Sequence, residues 1–95
     1  MKRIDYYGRS FTVSDRFADG FIGYVNHLVA SGKPFGEFFT VRCYINSTDG
    51  VMDVSVQLVS GVPVLVYPAS PEFDGMPEPE DEPQVLSRLA KREWA

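Results

Sequence analysis

"EFFTVRCYIN" at 37–46, then "STDG" at 47–50 and "VMDVSVQLV" at 51–59, decides how this chain folds. The first run alternates as a strand does, with one face carrying Phe39, Val41, Cys43 and Ile45 and the other carrying Phe38, Thr40, Arg42 and Tyr44. The Asp-Gly pair that ends the second run is a strong hairpin-turn signal. The third run alternates too, and its inward face carries Met52, Val54, Val56 and Leu58. Together these residues predict an antiparallel hairpin with one apolar face.

The residues before this hairpin predict a smaller hairpin and one main helix. "RIDYY" at 3–7 and "FTV" at 11–13 read as two short strands. Ser14 is a suitable N-cap, and apolar residues then recur at helical spacing at Phe17, Phe21, Val25 and Leu28. The helix is expected to end at Gly32 and Pro34. Gly20 and Gly23 weaken a helix interior, so we expect this face to pack closely on the sheet.

The residues after the hairpin predict a third strand, followed by a Pro-rich acidic segment and a short helix. "VPVLVY" at 62–67 is expected to complete a three-stranded meander, with Pro63 marking an edge strand. Prolines then recur through residues 68–83, which we call the acidic segment. Pro83 could begin a last short helix, whose apolar stripe consists of Val85, Leu86, Leu89, Ala90 and Trp94.

The predicted fold class is therefore α+β. One main helix packs on an antiparallel sheet of three to five strands, followed by an acidic Pro-rich segment and a short C-terminal helix. The predicted organisation is a compact α+β domain over 1–67, the acidic segment over 68–83 and a short amphipathic helix over 84–95.

Charge is unevenly distributed along the 95 residues, whose formal net charge is −4. Residues 1–67 are neutral, the acidic segment carries −6, and residues 84–95 carry +2. The acidity is thus confined to one block, formed by Glu72, Asp74, Glu78, Glu80, Asp81 and Glu82.

The location expected from composition is the cytoplasm. The single cysteine cannot form an internal disulfide, which is typical of a reducing compartment. We expect no signal peptide and no membrane span, because no charged-then-apolar leader opens the chain and no apolar run approaches about 18 residues.

Enzymatic and cofactor chemistry is not expected. One histidine and one cysteine cannot assemble a zinc site, and no phosphate-binding glycine motif occurs. A His27–Cys43 catalytic pair would need the two side chains in contact, whereas Cys43 is predicted to face the core as an inert thiol. We therefore predict no catalytic residue, no metal ligand, no cofactor and no small-molecule substrate.

A secondary surface is predicted on the outward face of the first hairpin strand, at Phe38, Arg42 and Tyr44. Aromatic rings around an arginine resemble a platform for single-stranded nucleic acid. The neutral body lacks the basic footprint that phosphate binding needs. The alternatives are coverage by the N-terminal hairpin or the C-terminal helix, or a protein-binding patch.

The acidic segment has two interpretations. It could be a solvated linker, extended by its own charge. It could also be a negative strip that occupies a basic groove by mimicry of DNA. Apolar residues within and after the segment favour contact with a partner, and the predicted contact residues are Glu72, Phe73, Asp74, Met76, Glu78, Glu80, Asp81, Glu82 and Trp94.

In type, the chain resembles the small phage-encoded inhibitor proteins, above all the anti-CRISPR proteins. The resemblance lies in a compact α/β body of this length, net acidity, a single cysteine and the stretch "FTVSDRFADGFIGYVNHL" at 11–28. These proteins share no sequence motif, so no residue role is carried over. The resemblance implies a protein that binds a bacterial effector complex stoichiometrically and blocks its DNA-binding or nuclease-recruiting surface, in the cytoplasm of a phage-infected bacterium.

The predicted function is therefore a non-enzymatic inhibitor of a bacterial nucleic-acid-handling, CRISPR-Cas-like complex, acting partly by acidic DNA mimicry. Its partner would be a protein complex with a basic nucleic-acid-binding surface, without direct contact to nucleic acid or membrane. The alternative is a small adaptor or regulatory module whose C-terminal helix docks in a partner's apolar groove.

Overall fold

The computed structural model describes residues 1–89. In chain order it contains β1 (Lys2–Tyr6), β2 (Arg9–Val13), α1 (Asp15–Ala30), β3 (Gly36–Tyr44), β4 (Val51–Val59), β5 (Val64–Pro68), a 3₁₀ turn (Pro71–Phe73) and α2 (Pro83–Leu89). The five strands form one sheet in which every pairing is antiparallel. The predicted α+β class is confirmed: a main helix packs on an antiparallel sheet, and a short helix follows the acidic segment. Within residues 1–89, no helix has the length and apolar character needed to cross a membrane.

The strand order is β4-β3-β2-β1-β5, so the predicted three-stranded meander is wrong. β5 pairs with β1, in a register that places Val66 beside Ile4, and not with β4. The valines of β5 thereby pack against the core beside the buried residues of β1, which removes more apolar surface from water than an exposed third strand would. The prediction that this strand lies at an edge of the sheet is confirmed.

Aromatic side chains join α1 to the β3–β4 hairpin. The Phe39 ring packs edge-on against Phe17 and Phe21, with ring centroids 5.9 and 6.2 Å apart. Tyr24 lies on the same ring, with a centroid distance of 5.6 Å. Such tilted and edge-to-face pairs are the favoured arrangement for aromatic rings. α1 begins as predicted at Ser14, whose hydroxyl accepts a 3.0 Å hydrogen bond from the backbone N–H of Phe17.

The alternation predicted for β3 is observed, because Phe39, Val41 and Cys43 are all buried. Ile45 and Met52 were expected on the same apolar face, yet they are 42% and 36% exposed. Both lie near the turn of the hairpin, where Ile45 faces an open groove and not the helix.

Gly20 packs against α2, and the prediction that it packs against the sheet is wrong. A methyl group placed on Gly20 would lie 2.9 Å from the Cβ of Leu89, closer than two carbon atoms normally approach. Leu89 is only 3% exposed and belongs to the main core. The glycine therefore allows a close helix–helix contact, which offsets its cost of about 1 kcal/mol in a helix interior.

β2 and β3 pair at a single position, Thr12 with Tyr44. Beyond that point the two strands diverge, and residues 36–43 of β3 have no strand on this side within the described chain. The fork between β2 and β3 is the place where the acidic segment lies.

Candidate functional site

A buried aromatic side chain anchors the acidic segment in the fork between β2 and β3. Phe73, in the 3₁₀ turn, is 4% exposed, and its ring centroid lies 5.6 Å from that of Tyr44. Backbone bonds from Phe73 to Ser70 and from Met76 to Phe73 tighten this turn, and Gly75 provides the positive φ of +79° that reverses the chain. Phe73 was predicted to contact a partner; in the structure it is an internal anchor.

Two side chains of β3 hold the second half of the acidic segment. The hydroxyl of Tyr44 donates a 2.7 Å hydrogen bond to the carbonyl oxygen of Pro77. Arg42 donates a 2.9 Å bond to the carbonyl oxygen of Glu80, and a further 2.9 Å bond to the carboxylate of Glu82. These bonds satisfy backbone carbonyls that a free tether would leave to water, so residues 77–82 follow a defined path.

The same arginine also closes a cross-strand ion pair. Its Nε and Nη2 atoms donate to the two oxygens of Asp53 at 2.9 and 3.2 Å. These hydrogen bonds lower the pKa of Asp53 below its ordinary value, and the pKa of Arg42 is raised in return. Arg42 therefore links β3 to β4 and to the acidic segment at once.

Three of the six carboxylates take part in this internal network. Asp81 accepts a hydrogen bond from the Ser14 hydroxyl, the same group that caps α1. The carboxylate of Glu78 lies 3.5 Å from the amino group of Met1 and accepts a 3.4 Å bond from the backbone N–H of Asp15. Glu82 pairs with Arg42 as described.

The other three carboxylates belong to Glu72, Asp74 and Glu80, which are all exposed. None of the three forms an ion pair with any of residues 1–89, although Glu72 accepts a 3.2 Å bond from the Ser70 hydroxyl. They are attached to an ordered backbone through neighbours that are themselves anchored. Their negative charge is therefore presented outward from a backbone of defined path, and it is the main candidate for a functional surface.

A depression of about 580 Å³ lies between the acidic segment, the start of α1 and α2. Its lining includes Glu78, Glu80 and Asp81 together with Arg16 and Leu86. One oxygen of Asp81, Oδ1, is buried and has no hydrogen-bond partner in the described structure. The depression thus combines an acidic wall with space for a long side chain.

The predicted secondary surface does not assemble as a stacking platform. Tyr44 is 3% exposed under Phe73, and Arg42 is engaged by Asp53 and the acidic segment. Phe38 alone is open, at 65% exposure. Within residues 1–89, the element that lies over Arg42 and Tyr44 is the acidic segment, which was not among the covering elements considered from the sequence.

Two predicted site residues, Met76 and Trp94, and the candidate thiol of Cys43 complete the set. Met76 is half-buried, and Trp94 lies outside the described residues. Cys43 is fully buried, and this burial raises the pKa of its thiol to about 11. At neutral pH the thiol is therefore protonated, which is the behaviour of a packed cysteine and not of a nucleophile. Residues 1–89 contain no group of three His, Cys, Asp or Glu side chains positioned to hold a metal ion.

Sequence reasoning missed the residues that order the acidic segment. Ser14 was assigned only as a helix cap, and Tyr44 and Arg42 were assigned to an outward surface. A signal for order was nevertheless present, because Phe73 and Met76 interrupt the acidic residues with apolar ones that a solvated linker does not require.

Comparison with protein-family models, with curated proteins and with solved structures gives no match.

Proposed function

We propose that this chain is a stoichiometric, non-enzymatic inhibitor that docks its acidic segment on a basic, nucleic-acid-binding surface of a bacterial protein complex. The observation that carries the proposal is the division of the six carboxylates: three hold the segment in place, and Glu72, Asp74 and Glu80 point outward from it. CRISPR effector complexes are the class of partner that the resemblance to phage inhibitors implies, and the site of action would be the bacterial cytoplasm.

An ordered segment favours this function over that of a solvated linker. A disordered acidic tail loses conformational entropy when it binds, whereas a segment held by Phe73 and Arg42 has already lost it on folding. Carboxylates attached to a backbone of defined path can match the phosphate positions that a basic groove recognises, and complementary charge accelerates encounter at low salt. The depression beside Glu80 and Asp81 would accept a lysine or arginine side chain from the partner.

The alternative adaptor function is less well supported. It requires the apolar stripe of the C-terminal helix to be free for a partner's groove, but Leu89 is buried against Gly20 and Val85 packs on the core. Within residues 83–89, Val85 and Leu89 of the stripe pack inside the fold and do not face a partner.

The test is affinity capture from a nuclease-treated bacterial lysate, with mass spectrometry of the bound proteins. The bait is the wild-type chain or the triple variant Glu72→Gln, Asp74→Asn, Glu80→Gln. We expect the wild type to retain a nucleic-acid-binding protein that added duplex DNA and higher salt displace. At roughly 0.5 kcal/mol for each exposed charge pair, the triple variant should bind about tenfold more weakly.

Matched single substitutions distinguish the effect of a carboxylate's position from the effect of the net charge of the chain. Glu80→Gln and Asp19→Asn each remove one exposed carboxylate, but only Glu80 lies on the acidic segment. Only Glu80→Gln should weaken capture. Equal retention by the wild type and the triple variant, or indifference to duplex DNA, would reject docking by charge mimicry.

A further inference from the structure

Within residues 1–89 the sheet has two outer edges, the free sides of β4 and β5, and one inner opening where β3 parts from β2. A strand edge with free backbone N–H and C=O groups invites pairing with another chain, so proteins normally protect it. On the open side of β3, Arg42 and Tyr44 bind the acidic segment, and Arg88 of α2 donates a 3.5 Å bond to the Phe38 carbonyl. The bond from Ala69 N–H to the Met1 carbonyl shows that the backbone groups of the odd-numbered residues of β5 point toward β1. The backbone groups on the free side of β5 therefore belong to Val64, Val66 and Pro68. Pro68 removes one donor of this edge, while the outward backbone groups of Val64 and Val66 bond to no other group of residues 1–89.

β4 is protected at one end by a tyrosine hydroxyl. Tyr6 donates a 3.2 Å hydrogen bond to the carbonyl oxygen of Gln57 and accepts a 2.7 Å bond from the N–H of Val59. The hydroxyl thus satisfies one donor and one acceptor of the β4 edge. These two bonds also show that the backbone N–H and C=O groups of Gln57 and Val59 point away from β3.

The other end of β4 remains open. Because alternate residues of a strand point the same way, the N–H and C=O groups of Val51, Asp53 and Ser55 also face away from β3. The bond from Ser60 N–H to the Phe35 carbonyl independently shows that even-numbered residues bond toward β3, which leaves the odd-numbered ones facing outward. No backbone or side-chain group of residues 1–89 bonds to these edge groups.

This open edge borders a groove of about 770 Å³. Val54, Ser55 and Val56 form one wall, and residues 6–11 of the β1–β2 hairpin form the other. Apolar side chains remain exposed along it, with Tyr7 at 74% and Ile45 at 42%. The groove is therefore wide and apolar enough to receive the alternate side chains of an added strand.

The charge of the groove is positive. Arg9 is exposed, lines the groove and forms no ion pair with residues 1–89, and no carboxylate lines the groove with it. The nearby Asp53 is already paired with Arg42. An occupant with an acidic side chain would therefore find an uncompensated cation here.

We propose that the open edge of β4 binds an extended segment of a partner protein by β-strand addition. The segment pairs with Val51, Asp53 and Ser55, places alternate apolar side chains against Val54 and Val56, and directs an acidic side chain to Arg9. This surface is separate from the acidic segment, and its test does not depend on the function proposed above.

The probe is a library of random linear nine-residue peptides displayed on phage, selected against the full chain. We expect selected peptides to alternate β-branched or aromatic residues with polar ones and to contain Asp or Glu. In NMR titration with a synthetic selected peptide, the amides of residues 51–55 and 7–9 should shift. The amides of Val51, Asp53 and Ser55 should also gain protection from hydrogen exchange.

Two variants test the geometry. Ser55→Pro removes one edge donor without breaking a bond to β3, and should weaken peptide binding at least tenfold, while the control Ser55→Ala keeps the donor and should bind normally. Arg9→Glu should lose acidic peptides and select basic ones, and this result does not depend on whether the proline variant folds.

Three results would overturn the proposal. The first is selection without a consensus, or with peptides that shift amides elsewhere. The second is unchanged binding in a folded Ser55→Pro variant together with unchanged selection by Arg9→Glu. The third is concentration-dependent protection of residues 51–55 without peptide, with a dimer in sedimentation, which would assign this edge to a second copy of the chain.

Discussion

Replacing Phe73 with alanine is expected to lower the free energy of unfolding by about 3–5 kcal/mol, the usual cost of removing a buried phenylalanine ring. The ring is 4% exposed and packs on Tyr44, so its loss leaves a cavity in the fork between β2 and β3. For a domain of this size, whose total stability is on the order of 5–15 kcal/mol, this is a large fraction. Urea denaturation followed by far-UV circular dichroism measures it.

The matched control for this experiment is the neighbouring Glu72→Ala, which changes an exposed side chain in the same turn and should alter stability by less than about 0.5 kcal/mol. A loss below about 1 kcal/mol for Phe73→Ala would mean that the ring does not anchor the acidic segment. The internal role assigned to Phe73 would then be wrong.

Replacing Leu89 with alanine is the second substitution with a large expected effect, a loss of about 2–5 kcal/mol. Leu89 is 3% exposed and fills the space left by the missing side chain of Gly20. Ser87→Ala, at an exposed position of the same helix, is the control and should be neutral or slightly stabilising. Chemical denaturation of both variants gives the comparison.

The reciprocal substitution, Gly20→Ala, distinguishes close packing from a general requirement for leucine. Alanine favours a helix by about 1 kcal/mol over glycine, so a loosely packed site would be stabilised by it. We expect a net destabilisation, because the new methyl group would meet the Leu89 Cβ at 2.9 Å. A stabilised Gly20→Ala variant would contradict the tight α1–α2 contact.

The elements of this fold that depend on local pattern could be predicted from the sequence. Alternation along β3 and β4, a hairpin connection that includes Asp49 and Gly50, and the Ser14 cap each depend on nearby residues, and they are observed. The alternation fails only at the hairpin end, where Tyr44 is buried and Ile45 and Met52 are exposed. The partner of β5 could not be predicted in this way. β1 and β4 both offered an edge, and the choice depends on which one buries the valines of β5.

The order of the acidic segment could be predicted only in part. The apolar interruptions at Phe73 and Met76 indicated anchoring of the first half. The second half, 77–82, resembles a tether by composition, yet Tyr44 and Arg42 bind it from positions more than 30 residues away in the chain. Such side chain–backbone bonds leave no periodic pattern. The same limit led to the assignment of Tyr44 and Arg42 to an exposed face.

The claim on which the proposed function rests is that the acidic segment is an ordered part of the fold. Backbone ¹⁵N relaxation of the full chain tests this most directly, since order parameters separate a rigid backbone, near 0.85, from a flexible one, below about 0.6. We expect residues 71–82 to have order parameters close to those of β3. Values below about 0.6 across 77–82, with β3 still rigid, would show that this half is a tether and would contradict the claim.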